Sequence, residues 1–351
     1  MDEQKLVKYS LKKNNLIPIL SDGMLDYIKI HAENGLPVDL DAINNNNRNH
    51  FTRNLIYKGL ANFEKIVSQS PLNQIKVCLE IVENNSINAF AYEIKGCTNP
   101  VYLVAINSGL VNEYAKHFAN ENTIKEMTHG FDALTQVPTN FLQDTALEIA
   151  FNYITYHELG HVFRGHLKYF RERYSANWLN NNFEETINLN QEEYDFTRHL
   201  FECDADAFAG SLLADNVLSL YESGIKSGLI EGDPKILLEE LTKFCTSVIY
   251  YIFCLFDRAE TNYDHWYPVP PIRTSIITAH LGVQLYDKID DNYFNKLVVD
   301  ALTRTQSTIN NLGIKQTTKQ LANEYDRWLL KYKEALGKLS RDLIPYTPIK
   351  L

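Results

Sequence analysis

The apolar positions along the chain change period several times, and each change predicts an element. Between residues 75 and 107 lie three runs rich in β-branched and aromatic residues: 75–82 (IKVCLEIV), 87–94 (INAFAYEI) and 101–107 (VYLVAIN). Asn84, Asn85 and the stretch 96–100 punctuate them, so the pattern predicts strands in close succession, forming a small antiparallel sheet. A helix is expected to begin after Ser108 and Gly109. From Asp144 onward Ala146, Ile149, Ala150, Tyr153 and Ile154 recur at helical spacing and lead directly into His157, with Gly165 as the terminator.

Residues 167–190 lose that periodicity and predict an inserted loop or lid. A second helix is expected from about Gln191 to Asp215, with Glu192 and Glu193 in the first turn, where acidic side chains are favoured. The remainder, 217–351, is helical in pattern and is broken at 267–271 (YPVPP). Residues 1–72 read as helical pieces joined by polar loops, with an Asn-rich linker signal at 44–49. These patterns predict an α+β, predominantly helical chain. It comprises an N-terminal helical region (1–72), a central domain (73–285) and a C-terminal helical extension (286–351).

Composition narrows the partners. A chain of 351 residues with 45% apolar content can bury a sizeable core. A net charge of −10 with no basic run argues against nucleic acid and against anionic membrane surfaces. The first residues lack the apolar stretch of a secretory signal. The longest uncharged apolar run, 244–256 (FCTSVIYYIFCLF), is shorter than the roughly 20 residues a membrane span needs, which predicts a core helix and no membrane span. Five scattered cysteines without a Cys-x-x-Cys spacing predict reduced thiols and a cytoplasmic location.

The chemistry concentrates at HELGH, residues 157–161. A four-residue step turns a helix by about 400°, so His157 and His161 leave nearly the same face and can share one zinc ion. Glu158 lies about 100° round the axis, placed to act as general base on a metal-bound water. A catalytic zinc takes three protein ligands and keeps one position open. The metzincin spacing is closed, because Arg164 and Leu167 stand where that pattern needs Gly and His. His166, about 140° off the face of His161, is expected to support the site rather than ligate.

The third ligand is expected at Glu202, in FECDADAFAG on the second helix. Asp206, four residues on, shares its face and can accept the far N–H of a ligand histidine, fixing the tautomer. Asp204 points about 200° away and is expected on a solvated face. Ala205, Phe208, Ala209 and Leu212 form an apolar stripe for the first helix, and the small residues Ala205, Ala207, Ala209 and Gly210 would let the two helices approach closely. Cys203 faces away from the ligands and reads as an inert thiol.

With these motifs in order, the chain resembles gluzincin zinc metallopeptidases of the HtpX/CAAX-prenyl-protease class, and in character the soluble Lit-type phage-exclusion peptidases. HELGHVFRGH is similar to the family's HExxH helix, and ECDADAFA to its ligand helix. INAFA with Ser108, Gly109 and Leu110 is similar to its edge strand and following turn, and YPVPPIR to its downstream His-Pro…Arg motif. The resemblance covers about residues 75–280. It implies a zincin-type domain with the small sheet beside the HExxH helix, Zn2+ as cofactor, and a protein or peptide substrate added as a strand against Asn88, Ala89, Phe90 and Ala91. It also implies an oxyanion donor at Tyr267, standing where the family has His, or at nearby His265, and a bracing role for Arg273.

The expected function is that of a cytoplasmic zinc endopeptidase, with phage defence as one setting the resemblance implies. The alternatives are a regulatory or toxin-like protein with a structural zinc site, and a housekeeping protease of broad specificity.

Overall fold

The computed structural model describes residues 3–18, 59, 63, 76–94, 97, 99–174, 191–226, 233–259, 268–285, 287–313 and 325–347. Its strands are β1 (Lys76–Val82), β2 (Ala89–Ile94) and β3 (Val101–Asn107). Its helices are α1 (Glu3–Lys13), α2 (Ser108–Phe118), α3 (Glu121–Thr128), α4 (Thr139–Phe163), α5 (His166–Tyr174), α6 (Gln191–Lys226), α7 (Pro234–Ala259), α8 (Pro270–Leu285), α9 (Asp291–Asn311) and α10 (Tyr325–Leu343). The predominantly helical α+β class is therefore present. The linker signal at 44–49 lies outside the described residues. By internal contacts the chain forms two compact units, one of Met1–Ala115, Glu158–Leu189 and Ser340–Leu351, the other of Lys116–His157 and Asn190–Leu339. The boundaries fall inside α2, α4 and α10, so each of these helices contributes to both units.

In the first unit the sheet is mixed, not antiparallel as its pattern suggests. The strand order is β1-β3-β2, with β1 parallel and β2 antiparallel to β3. Val82 pairs with Asn107 and Ala89 with Ile106, so the connection 83–88 passes round the end of β3. Crossing one intervening strand requires a span of about 10 Å, well within reach of that connection, and short spacing in sequence therefore did not force a meander. The crossing is locked by the start of α2. The Gly109 amide donates to the Asn84 carbonyl at 2.7 Å, and a Cβ on Gly109 would fall 2.2 Å from the Asn85 carbonyl oxygen.

Every residue of β3 is buried. On one face Val101, Leu103 and Ala105 pack with Val7 and Leu11 of α1, which explains an apolar run without alternation. β2 pairs only with β3 and is an edge among the described residues. Part of the expected lid is regular structure: 166–174 is α5, with Leu167, Tyr169 and Phe170 buried. Arg171 on α5 is ion-paired with Glu93 of β2. Residues 175–190 lie outside the described residues.

Helix α4 starts at a proline-preceded turn, where Phe141 donates to the Pro138 carbonyl at 3.0 Å. It ends before Gly165, whose φ of 77° is the left-handed conformation a helix C-terminus favours. A side chain there would also meet the Tyr346 carbonyl oxygen at 2.4 Å. From Ile149 to Phe163 every residue of α4 is buried, so this helix is enclosed on all sides and any polar group on it must find a partner.

In the second unit α8 packs on α6, α7 and α9, and α7 packs also on α6 and α9. The expected helix at 191–215 runs on to Lys226. Residues 244–255 of α7 are all buried, which accounts for the long uncharged run as core. Among the described residues no helix is long and apolar enough to cross a membrane. Two of the small residues of α6, Ala207 and Gly210, face α8. Ala207 packs with Ile272 and Ile276 of α8, and a Cβ on Gly210 would fall 2.4 Å from the Ile277 carbonyl oxygen.

Candidate metal centre

Two helices present the expected ligands together. One ligand atom from each of His157, His161 and Glu202 lies within 4.8 Å of the others, and all three residues are buried. Both histidines come from α4 and the glutamate from α6. His157 Nε2 and Glu202 Oε2 are 3.1 Å apart. Two ligand atoms about 2.0–2.1 Å from a tetrahedral zinc stand roughly 3.4 Å apart, so this pair already has near-ligand spacing.

The other ring nitrogen of each histidine has its own partner. His157 Nδ1 donates to Asp206 Oδ1 at 2.8 Å, and His161 Nδ1 lies 2.9 Å from His166 Nδ1. Both contacts make Nε2 the atom each ring offers to a metal, the usual arrangement for ligand histidines backed by a polar group. His166 is fully buried and touches His161 edge-on.

Asp206 is the hub of this network. Its Oδ1 accepts from His157, from the Tyr153 hydroxyl at 2.9 Å and from Arg273 Nη2 at 2.9 Å, while Oδ2 accepts from Arg273 Nε at 2.7 Å. Arg273 thus pairs with the carboxylate that contacts His157, and its Nη2 is also 3.8 Å from Glu202 Oε2. Burial by itself would raise the Asp206 pKa, but the Arg273 charge leads the contacts that outweigh it and hold the carboxyl below its usual range.

Burial disfavours a charged His157, yet its hydrogen bonds to Asp206 and Glu202 win and push its pKa up to about 9. The buried group of His157, His161 and Glu202 could hold a divalent cation. The donor set of two imidazoles and a carboxylate suits such a cation.

Glu158 follows His157 and is buried. Asp204 is buried as well, at 5% exposure, and does not occupy the solvated face its position on α6 suggested. The neighbouring helices enclose this stretch of α6 on more sides than helical periodicity alone discloses. Cys203 packs with Ala207, Ile272, Ile276 and Tyr332, and burial pushes its thiol pKa well up, consistent with an inert thiol. Asn88, Ala89, Phe90 and Ala91 stand at the start of the edge strand β2, with Asn88 exposed. Tyr267 and His265 lie outside the described residues.

Sequence reasoning missed two contributors. Tyr153 is one turn before His157 on α4, and that spacing was a usable signal. Phe253 of α7 lies under the Arg273 guanidinium, 4.4 Å from its ring centroid, and nothing local in the sequence marks it. No family model matches the chain, and neither a curated protein nor a solved structure does.

Proposed function

We propose that this chain is a zinc-dependent endopeptidase of gluzincin type, acting on a protein or peptide substrate. The observation that carries the reading is the buried group of His157, His161 and Glu202, with Glu158 next to the first ligand on the same helix. These three residues would hold Zn2+, which when bound supplies a Lewis acid for the scissile carbonyl and an acidified water. Glu158 takes the proton of that water as general base and delivers it to the leaving amine. Asp206 and His166 keep the two ligand imidazoles oriented. The edge of β2 from Asn88 to Ala91 offers backbone groups to an extended peptide, the mode of recognition an open strand supports.

A structural zinc site would close all four positions with protein ligands. Cys203, the soft donor nearest in sequence, is instead packed among Ile272, Ile276 and Tyr332. This favours the catalytic reading.

The test compares new protein N-termini in cells expressing the wild type or Glu158→Gln, alongside the metal content of both purified proteins. Loss of cleavage by about 10²–10⁴-fold with metal retained is the expected result. Equal cleavage by the two proteins rules out Glu158 as the base. The phage-exclusion setting fails if the two give equal plaque counts on phage challenge.

A further inference from the structure

We infer that Tyr153 is a positioning residue for the metal ligand His157, acting through Asp206 and Arg273, with Phe253 as the platform that holds the arrangement. This inference rests on the metal-site reading above.

Tyr153 sits one turn before His157, so the two side chains rise from the same face of α4. Its hydroxyl donates to Asp206 Oδ1 at 2.9 Å and accepts from Arg273 Nη2 at 3.0 Å. Arg273 Nη2 in turn donates to that same Oδ1. Tyr153, Asp206 and Arg273 therefore close a three-membered ring of hydrogen bonds, and all three are buried. Phe253 meets the Tyr153 ring edge-on, with centroids 5.3 Å apart at 80°, and lies flat beneath the Arg273 guanidinium. One aromatic ring thus fixes both partners of the carboxylate.

The chemical consequence concerns where Asp206 directs its remaining electron density. A carboxylate that already accepts from a hydroxyl and from two guanidinium N–H groups has its position and direction fixed, and it presents Oδ1 to His157 Nδ1 from one side. His157 would then turn Nε2 toward a metal in one orientation. Without the Tyr153 hydroxyl, Oδ1 loses a donor and Arg273 Nη2 an acceptor, and both the direction and the strength of the Asp206–His157 contact change.

The test uses the full chain stripped of metal and titrated with Co2+, read by its visible d–d absorption, with zinc affinity from chelator competition. Tyr156→Phe is the control. Tyr156 is on the same helix, and its hydroxyl makes one hydrogen bond, to Asn216 Oδ1 at 3.0 Å. The expected result is that Tyr153→Phe weakens metal binding by about 10-fold or more and shifts the Co2+ band. Tyr156→Phe should lose thermal stability but keep wild-type affinity and spectrum. If Tyr153→Phe fails to fold, Phe253→Leu replaces it, since it removes the platform without deleting a polar atom, and is expected to weaken binding by about 3-fold.

Wild-type affinity and spectrum in Tyr153→Phe, or in Phe253→Leu where that variant stands in, overturn the inference. So does an equal loss in Tyr156→Phe. A wild-type protein that binds no Co2+ or Zn2+ overturns the metal-site reading itself and this inference with it, an outcome distinct from a wild type that binds while the variants match it.

Discussion

Arg273 holds Asp206 at two points, Nε to Oδ2 at 2.7 Å and Nη2 to Oδ1 at 2.9 Å, with both side chains buried. A planar guanidinium matched to a carboxylate in this way fixes distance and orientation together. The same carboxylate contacts His157 Nδ1 at 2.8 Å, so a residue on α8 is linked through Asp206 to a histidine on α4.

Replacing Arg273 by Met leaves a buried carboxylate without its counter-charge. The expected cost is about 3–5 kcal/mol of folding stability, with Arg273→Lys retaining part of it because the two-point geometry is lost but the charge is kept. Urea unfolding of the metal-free proteins measures both. A loss below about 1 kcal/mol for Arg273→Met, the scale of an exposed ion pair, would show that the pair does not behave as a buried one.

Metal removal should lower stability. A ligand present at about 1,000 times its dissociation constant adds roughly 4 kcal/mol to a protein that binds it only when folded. Thermal melts of chelator-treated protein, before and after addition of Zn2+, are expected to show a rise of several degrees in the wild type. The rise should be absent in His161→Ala and Glu202→Ala. A melting temperature insensitive to Zn2+ in the wild type contradicts the assignment of the triad.

Gly210 sets the spacing between α6 and α8. An added methyl would lie 2.4 Å from the Ile277 carbonyl oxygen, a backbone atom that moves only with its helix. Gly210→Ala is expected to cost about 1–3 kcal/mol and to weaken metal binding, because α6 carries Glu202 and Asp206 while α8 carries Arg273. Among the described residues nothing lies within 4 Å of a Cβ added to Gly337 in α10, so Gly337→Ala is expected to stabilise by up to about 1 kcal/mol. Chemical denaturation of the two variants separates crowding from helix propensity.

Asp300 of α9 provides a pH-dependent contribution. Burial would raise its pKa, but Lys243 at 3.0 Å and Arg304 at 2.9 Å outweigh it and hold the carboxyl below its usual range. A carboxyl whose folded pKa is depressed contributes stability above its unfolded pKa, near 3.9, and loses it as pH falls through the folded value. The difference in melting temperature between wild type and Asp300→Asn should therefore be present at neutral pH and shrink below about pH 4. A difference that grows on acidification would contradict this pairing.

The sequence by itself determined most of the elements and singled out the three residues that could hold a metal ion. Apolar spacing ending at His157 placed HELGH on a helix, and a four-residue interval put His157 with His161 and Glu202 with Asp206 on common faces, because helical geometry is local. The punctuation by Gly165 was legible for the same reason, whereas Pro270 and Pro271, read as part of a break at 267–271, open helix α8. What lay beyond local periodicity was decided by packing. The parallel pairing of β1 with β3 depends on which way a short connection passes round a strand end, and strand patterns do not encode that direction. Asp204 was assigned to solvent by its angle on α6, yet neighbouring helices enclose that side too. The small residues Ala207 and Gly210 announced a close helix contact, but only the tertiary structure chose α8 as the partner. Phe253 and Arg273 come from α7 and α8, far along the chain from Tyr153 and Asp206. Their junction arises from side chains of three helices meeting at one carboxylate with Phe253 of a fourth beside them, a relationship no single segment contains.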